Sequence, residues 1–306
     1  MSLDRRTFLK WQAATALSLA GSCAAGPLSV WAQKPPDLAV IQGGPEAATR
    51  AAVEALGGMG RFVRPGQRVV IKPNMSFDNP PEMATTTHPA VVSTLVALCQ
   101  EAGADTVMVR DHTLRGVEQC LEHTGIREAC QPLSGSDVRG VNVPDGFAPT
   151  SIPGATHYTE TAVMGEVLEA DVLIAAPVAK HHGSTGVSLS MKGMMGLIYN
   201  RGELHWRYNL HTAIADLMRL LRADLTVIDV TRALTTNGPS GPGEVKQMDT
   251  VVASTDMVAA DAQVVSMVPW YGRNITPDKV EHIRVAHEWG LGRLDIDNLH
   301  LHRAAV

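Results

Sequence analysis

The sequence predicts an α/β fold: a mostly parallel sheet with helices on both faces, a Rossmann-like three-layer arrangement carrying one Pro/Gly-rich insert. Three observations predict it. Short β-branched runs alternate with longer amphipathic segments. The runs are apolar throughout rather than at every second residue, as in strands covered on both faces. Polar clusters follow the ends of these runs, where α/β sheets place their ligands.

Leu38 to Ile41 reads as the first strand and Pro45 to Leu56 as the helix after it. Arg68 to Lys72 is a strand closed by Pro73-Asn74. A helix from His88 to Ala102 has Pro89 in its first turn and Gly103 as its C-terminal cap. Asp105 to Val109 is a strand that runs into Arg110-Asp111-His112. Residues 131–160 are rich in Pro, Gly, Ser and Thr and read as the insert. The apolar run Ala170 to Ala176 feeds through Pro177 into a polar loop, Lys180-His181-His182. A helix from His211 to Arg222, a strand from Leu225 to Asp229 and a short strand from Val251 to Ser254 follow. The helix Met257 to Met267 has Asp256 at its N-cap, and Thr276 to Trp289 reads as the last helix.

Residues 1–32 have a different character. Two arginines in Asp4-Arg5-Arg6-Thr7-Phe8-Leu9-Lys10 precede an uncharged, mostly apolar stretch from Trp11 to Val30, and Val30-Trp31-Ala32 fits a small-x-small cleavage site. This predicts a twin-arginine export signal, with the twin-arginine translocation machinery as a partner and a periplasmic or otherwise exported location. Lipid attachment at Cys23 is the alternative, but the usual leucine three positions upstream is missing. Ser, Thr and Gly interrupt the apolar stretch, which makes it too weak for a membrane span. Residues 33–306 are then read as a single domain without a mature membrane span. A net charge of −5 and only 4% aromatic residues argue against nucleic acid as a partner. The cysteines of this part are Cys99, Cys120 and Cys130. Spacing leaves open whether Cys120 and Cys130 are bridged. Three thiols do not supply a four-thiolate centre, so no self-contained iron–sulfur cluster is expected.

The clusters at the strand ends carry the candidate chemistry. Lys72 closes a buried strand and must hold its ammonium at the rim, since burying it unpaired is costly. Asn74 beside it offers a donor and an acceptor. Thr87 or His88 caps the helix at Pro89, and helix-start amides can hold an anion. Asp111 and His112 stand together where they can orient one another or bind a cation. Lys180, His181 and His182, with Ser184 close behind and Lys192 twelve residues on, suit a carboxylate or phosphate group. Neither a Walker sequence nor a dinucleotide fingerprint is present. Each cluster also has a plain structural reading as a cap, a local ion pair or a solvated loop. Adjacent histidines in an extended segment point to opposite sides, so His181 and His182 are not expected to share one metal ion. Asn237 to Gly243, rich in Gly and Pro, reads as a wall or lid.

In their order, these motifs resemble the DUF362 family: Lys72-Pro73-Asn74, Thr87-His88-Pro89, Lys180-His181-His182 with Ser184, Met191-Lys192-Gly193 with Gly196, Asn237-Gly238-Pro239 with Gly241, and Asp256 to Asp261. The resemblance runs from about Leu38 to about Trp270. It implies the same fold and a site on the same rim, and it assigns no substrate. Family members often carry Lys-Asn where this chain has Lys192-Gly193, and some append a ferredoxin-like cluster domain that is not seen here.

The reading that follows is an exported enzyme of undefined activity whose partner is a small anionic ligand. Lys72, Asn74, Lys180, Ser184 and Lys192 would hold the anion. His181 or His182 would act as general acid/base, oriented by Asp111. The cofactor is left open; a divalent metal is one expectation, with His88, His112 and Asp229 as its ligands. The alternative is a non-catalytic periplasmic metal- or cofactor-binding protein, which the twelve histidines make reasonable.

Overall fold

Alternate residues of the central strands divide between two apolar cores, one on each face of a single sheet. Ala39, Ile41, Val69, Ile71, Val107, Val109, Val172, Ile174, Val251 and Ala253 pack into one core. Leu38, Val40, Val70, Met108, Leu173, Ala175 and Val252 pack into the other. This two-sided burial follows from the period of two along a strand, and it explains why the strands read as unbroken apolar runs. The structure is a computed structural model and describes residues 35–306. The predicted export signal, its cleavage site and Cys23 lie outside the described residues.

The strands are β1 (Leu38–Gln42), β2 (Arg68–Pro73), β3 (Thr106–Asp111), β4 (Ser136–Gly140), β5 (Phe147–Ser151), β6 (Glu160–Met164), β7 (Val172–Ala176), β8 (Val178–His182), β9 (Gly186–Ser188), β10 (Leu225–Leu234), β11 (Val245–Ser254) and β12 (Leu301–Ala305). The main sheet runs β12-β1-β11-β10-β7-β2-β3-β4, with β8 on β10 and β9 on β8. The pairs β10–β7, β7–β2, β2–β3 and β3–β4 are parallel. The long strand β11 runs antiparallel between β1 and β10, so the sheet is mixed but mostly parallel.

The helices are α1 (Pro45–Ala55), α2 (Pro89–Glu101), α3 (Val117–His123), α4 (Ile126–Cys130), α5 (Gly165–Glu169), α6 (Ser190–Gly193), α7 (Leu210–Met218), α8 (Met257–Met267) and α9 (Glu281–Glu288). Helices α1, α2 and α4 bury their apolar residues in the first core, and α7, α8 and α9 in the second. The result is the three-layer α/β arrangement. Asp256 caps α8 by accepting from the amides of Val258 and Ala259. No helix among the described residues is long and apolar enough to cross a membrane.

Three expectations change, and one open question closes. Residues 131–160 are not one insert. Ser136–Gly140 joins the main sheet as β4, paired with β3, and only the antiparallel hairpin β5–β6 stands apart as a two-stranded sheet. The segment Lys180-His181-His182 is a strand rather than a loop. Pro177 interrupts the apolar run, and the chain continues as β8 on β10, with the Asp229 amide donating to the Pro177 carbonyl at 2.8 Å. Strand β11 has ten residues rather than the expected four because its polar first half, Val245 to Asp249, pairs with the rim half of β10. Cys120 and Cys130 are not bridged; with Cys99 they are free and buried. Burial pushes the Cys99 and Cys130 thiols up to about 12.

Candidate anion-binding site

Beyond the C-terminal ends of β2, β3 and β7 lies a cavity of 160 Å³. It is lined by Lys72, Asp111, Lys180, His182, Lys192 and Arg201, with Asn74, Ser76, Phe77, Ser188, Gly196, His205 and Pro239 among its other walls. Larger clefts of 530 and 730 Å³ occur elsewhere, lined chiefly by helix-surface residues such as Glu118, Arg127, Arg50 and Glu54. Convergence of buried polar groups, rather than volume, singles out the smaller cavity.

Each charged group arrives from a different element. Lys72 is the penultimate residue of β2 and Asp111 the last of β3. They meet at 3.2 Å, Lys72 Nζ to Asp111 Oδ1, with both side chains buried. The other oxygen, Oδ2, accepts from the Met75 amide at 3.0 Å and the Ser76 hydroxyl at 2.8 Å. Lys72 also donates to the Pro73 carbonyl. The chain at Gly196 passes so close that a Cβ there would lie 2.5 Å from Lys72 Cε and would also collide with Asp111 Oδ1. This position therefore requires glycine.

Lys180, in β8, donates to the Thr85 carbonyl at 2.6 Å and lies 5.2 Å from the centre of the Phe77 ring. Arg201 donates to the His112 and Thr113 carbonyls. Lys192 sits on the single turn α6, which Asp261 of α8 anchors. That carboxylate accepts from the Ser190 amide at 2.9 Å, the Ser190 hydroxyl at 2.6 Å and the Met191 amide at 3.0 Å. Lys192 is 9% exposed and makes no hydrogen bond or ion pair among the described residues.

Four cations thus face one carboxylate in a largely dry space. Burial, reinforced by Lys72, brings Lys180 down to about 7. Burial, reinforced by Arg201 and Lys72, does the same to Lys192. Lys72 is lowered by burial despite Asp111 beside it, and Arg201 is also lowered by burial. His182 stacks on His205, ring centres 5.9 Å apart. Burial and the charge of Lys192 push His182 to about 3, so it is neutral at pH 7. Its Nδ1 accepts from the Ser184 amide at 3.2 Å, which places the ring proton on Nε2. The groups poised near neutrality are therefore lysines, not histidines.

The cavity gathers Lys72, Asn74, Asp111, Lys180, His182 and Lys192. Asn74 also crosslinks its surroundings, its Oδ1 accepting from the Val178 amide at 3.0 Å. Ser184 does not reach the cavity; it lies exposed in the β8–β9 turn, and Ser188 takes the place on the wall. His181 points away from the cavity, as strand alternation requires, and packs edge-on against Tyr271. It does not line this cavity.

The metal set His88, His112 and Asp229 is not assembled. His88 is the N-cap of α2, its Nδ1 accepting from the Ala90 amide. Asp229 accepts from the His88 amide, Arg232, the Thr231 amide and the Thr231 hydroxyl. His112 stacks on Tyr199 and pairs its Nδ1 with the Ile198 carbonyl. Among the described residues no group of three or more His, Cys, Asp or Glu is placed to hold a metal ion. The strand-end cation Arg110 turns away from the cavity, where Glu166 and Asp137 bind it.

Arg201, His205, Ser76, Phe77 and Ser188 are walls the sequence reading missed. The one available signal was Asn200-Arg201-Gly202, a cation in a turn-forming triplet just after Gly196. The Gly/Pro-rich segment does form a wall, through Pro239.

A family model described as a domain of unknown function, DUF362, matches residues 69–266. A thylakoid-associated protein of Synechocystis sp. is 28% identical over 222 residues, covering 70% of this chain and 67% of that protein. Among solved structures, the lactate racemase apoprotein of Thermoanaerobacterium thermosaccharolyticum aligns with a TM-score of 0.47 and 12% identity, over 76% of this chain and 58% of that one. The matched span contains every cavity-lining residue from Lys72 to Pro239, and the chain belongs to the DUF362 family.

Proposed function

We propose that the protein is an exported enzyme that binds a small anion, a carboxylate or a phosphate, in this cavity. Lys72, Lys180, Lys192 and Arg201 hold it, and a lysine exchanges the proton that the chemistry needs. One observation carries the reading: Lys192 is buried without a counter-charge among three other cations. A buried unpaired ammonium is costly, and a bound anion removes that cost.

The lysine distribution supports the same reading. The described residues contain five lysines, at positions 72, 180, 192, 246 and 279, and three of them line one 160 Å³ space. That space is small and walled by buried polar groups, which suits an oxyanion or a short organic acid. Lysines near 7 serve as acid or base at neutral pH better than His182, which stays neutral. The twin-arginine pattern at Arg5-Arg6 supports export.

Calorimetric titration of the full chain with oxalate and with phosphate tests the binding. Lys180→Met and Lys192→Met should each weaken it at least tenfold without lowering the melting temperature. Unchanged affinity in both variants refutes the reading.

A further inference from the structure

The geometry points to covalent capture of a small 2-oxo acid: Lys192 forms an imine with the carbonyl carbon while the neighbouring cations hold the adjoining carboxylate. This deepens the anion-site reading and rests on it.

The three lysines differ in what they touch. Lys72 is committed to Asp111 and the Pro73 carbonyl, and Lys180 to the Thr85 carbonyl and the face of Phe77. Their donors point at fixed acceptors, which suits holding charge. Lys192 is the one whose amine has no partner. A nucleophile needs its lone pair free, and an amine is activated when desolvated beside other cations. Lys192 has both conditions: burial first, and then the charges of Arg201 and Lys72, bring it to about 7. About half of it is then the free amine at neutral pH.

The seat is also rigid. Asp261 accepts three hydrogen bonds from the turn that presents Lys192. Gly193 follows at once, and Gly196 lets the backbone lie against Lys72 and Asp111. A ligand whose carboxylate meets Lys72, Lys180 and Arg201 therefore has its next atom within the same small space as the Lys192 amine. The small space suits a short 2-oxo acid such as pyruvate.

The step balances with the groups present. The Lys192 lone pair forms the C–N bond, and the carbonyl π pair moves onto oxygen. One proton passes from nitrogen to that oxygen, giving a carbinolamine. A second proton makes the oxygen leave as water, and the nitrogen lone pair closes the C=N bond. Lys180, brought to about 7 by burial and lining the same wall, is the group available to relay these protons. No oxidant, reductant or metal enters.

The test uses the full chain, pyruvate and sodium borohydride, read by intact mass and peptide mapping. The expected result is one reductively attached pyruvate on Lys192, absent from Lys192→Met and suppressed by excess oxalate, which carries the charge without the ketone. Lys192→Arg, which keeps the cation and forms no such adduct, serves the same purpose should the methionine variant fail to fold. Oxalate binding with Lys192 unmodified, or with label on Lys180, Lys246 or Lys279 instead, overturns the inference and leaves the anion reading standing. Absence of both oxalate binding and adduct overturns the two together.

Discussion

Raising the pH from 7 to 8.5 should stabilise the folded protein, and Lys192→Met should remove most of the gain. Burial lowers Lys180 and Lys192 from 10.5 to about 7 in the folded chain. Between these values the unfolded chain binds the proton that the folded chain has lost, so stability rises with pH; below about 7 both states are protonated and the full penalty is present. From pH 7 to 8.5 the proton deficit of one such lysine grows towards a whole proton, and integration gives roughly 1–2 kcal/mol. Lys180 adds at most as much again. Three groups oppose the trend. Asp261, which burial pushes up to about 7, holds a proton in the folded state that it loses across this range. The buried thiols of Cys99 and Cys130 resist ionising. Together these subtract roughly 1 kcal/mol, leaving a net rise of about 2 kcal/mol. Urea denaturation at intervals of half a pH unit measures it. At pH 7 Lys192→Met should also be the more stable protein, because it removes an unpaired buried ammonium. A wild-type profile that is flat or falling between pH 7 and 8.5, or a methionine variant that keeps the full slope, would refute the placement of an uncompensated lysine in the cavity.

Gly196→Ala should push the new methyl into Lys72 and Asp111, costing about 1–3 kcal/mol and weakening oxalate binding in calorimetry; Gly60→Ala, away from the cavity, where a Cβ meets nothing within 4 Å, should do neither. Replacing Arg5 and Arg6 by lysine should stop a reporter fused behind residues 1–34 from leaving the cytoplasm, as judged by cell fractionation.

The layered fold was legible because the strands are buried on both faces. An unbroken apolar run such as Val172 to Ala176 says so directly, and Pro89, Gly103 and Asp256 mark helix ends by their own chemistry. What escaped was structure set by distant partners. Val245 to Asp249 is polar and exposed, and it is a strand only because β10 offers it a ladder. Lys180-His181-His182 resembles a loop in composition and becomes a strand by pairing with β10 and Ser188. The site followed the same division. Lys72, Asp111 and Lys180 stand at strand ends, where the fold makes convergence predictable. Arg201 and His205 enter from a connection between helices, whose path no local pattern encodes. Ser184 and His181 were misplaced for lack of the strand register, which sends one side chain inward and its neighbour out. Asp261 was visible only as a polar residue in an apolar helix, and its three hydrogen bonds to the Lys192 turn appear only once the chain is folded.

The position of β1 has a consequence for the order of assembly. Its neighbours on either side are β11 and β12, which come last in the chain. As the polypeptide emerges, β1 waits with both of its edges open until β11 has been made, and with one edge open until β12 follows. An open apolar edge of this kind is prone to wrong pairings. Any factor that shields β1 during that delay would protect the yield of the native protein.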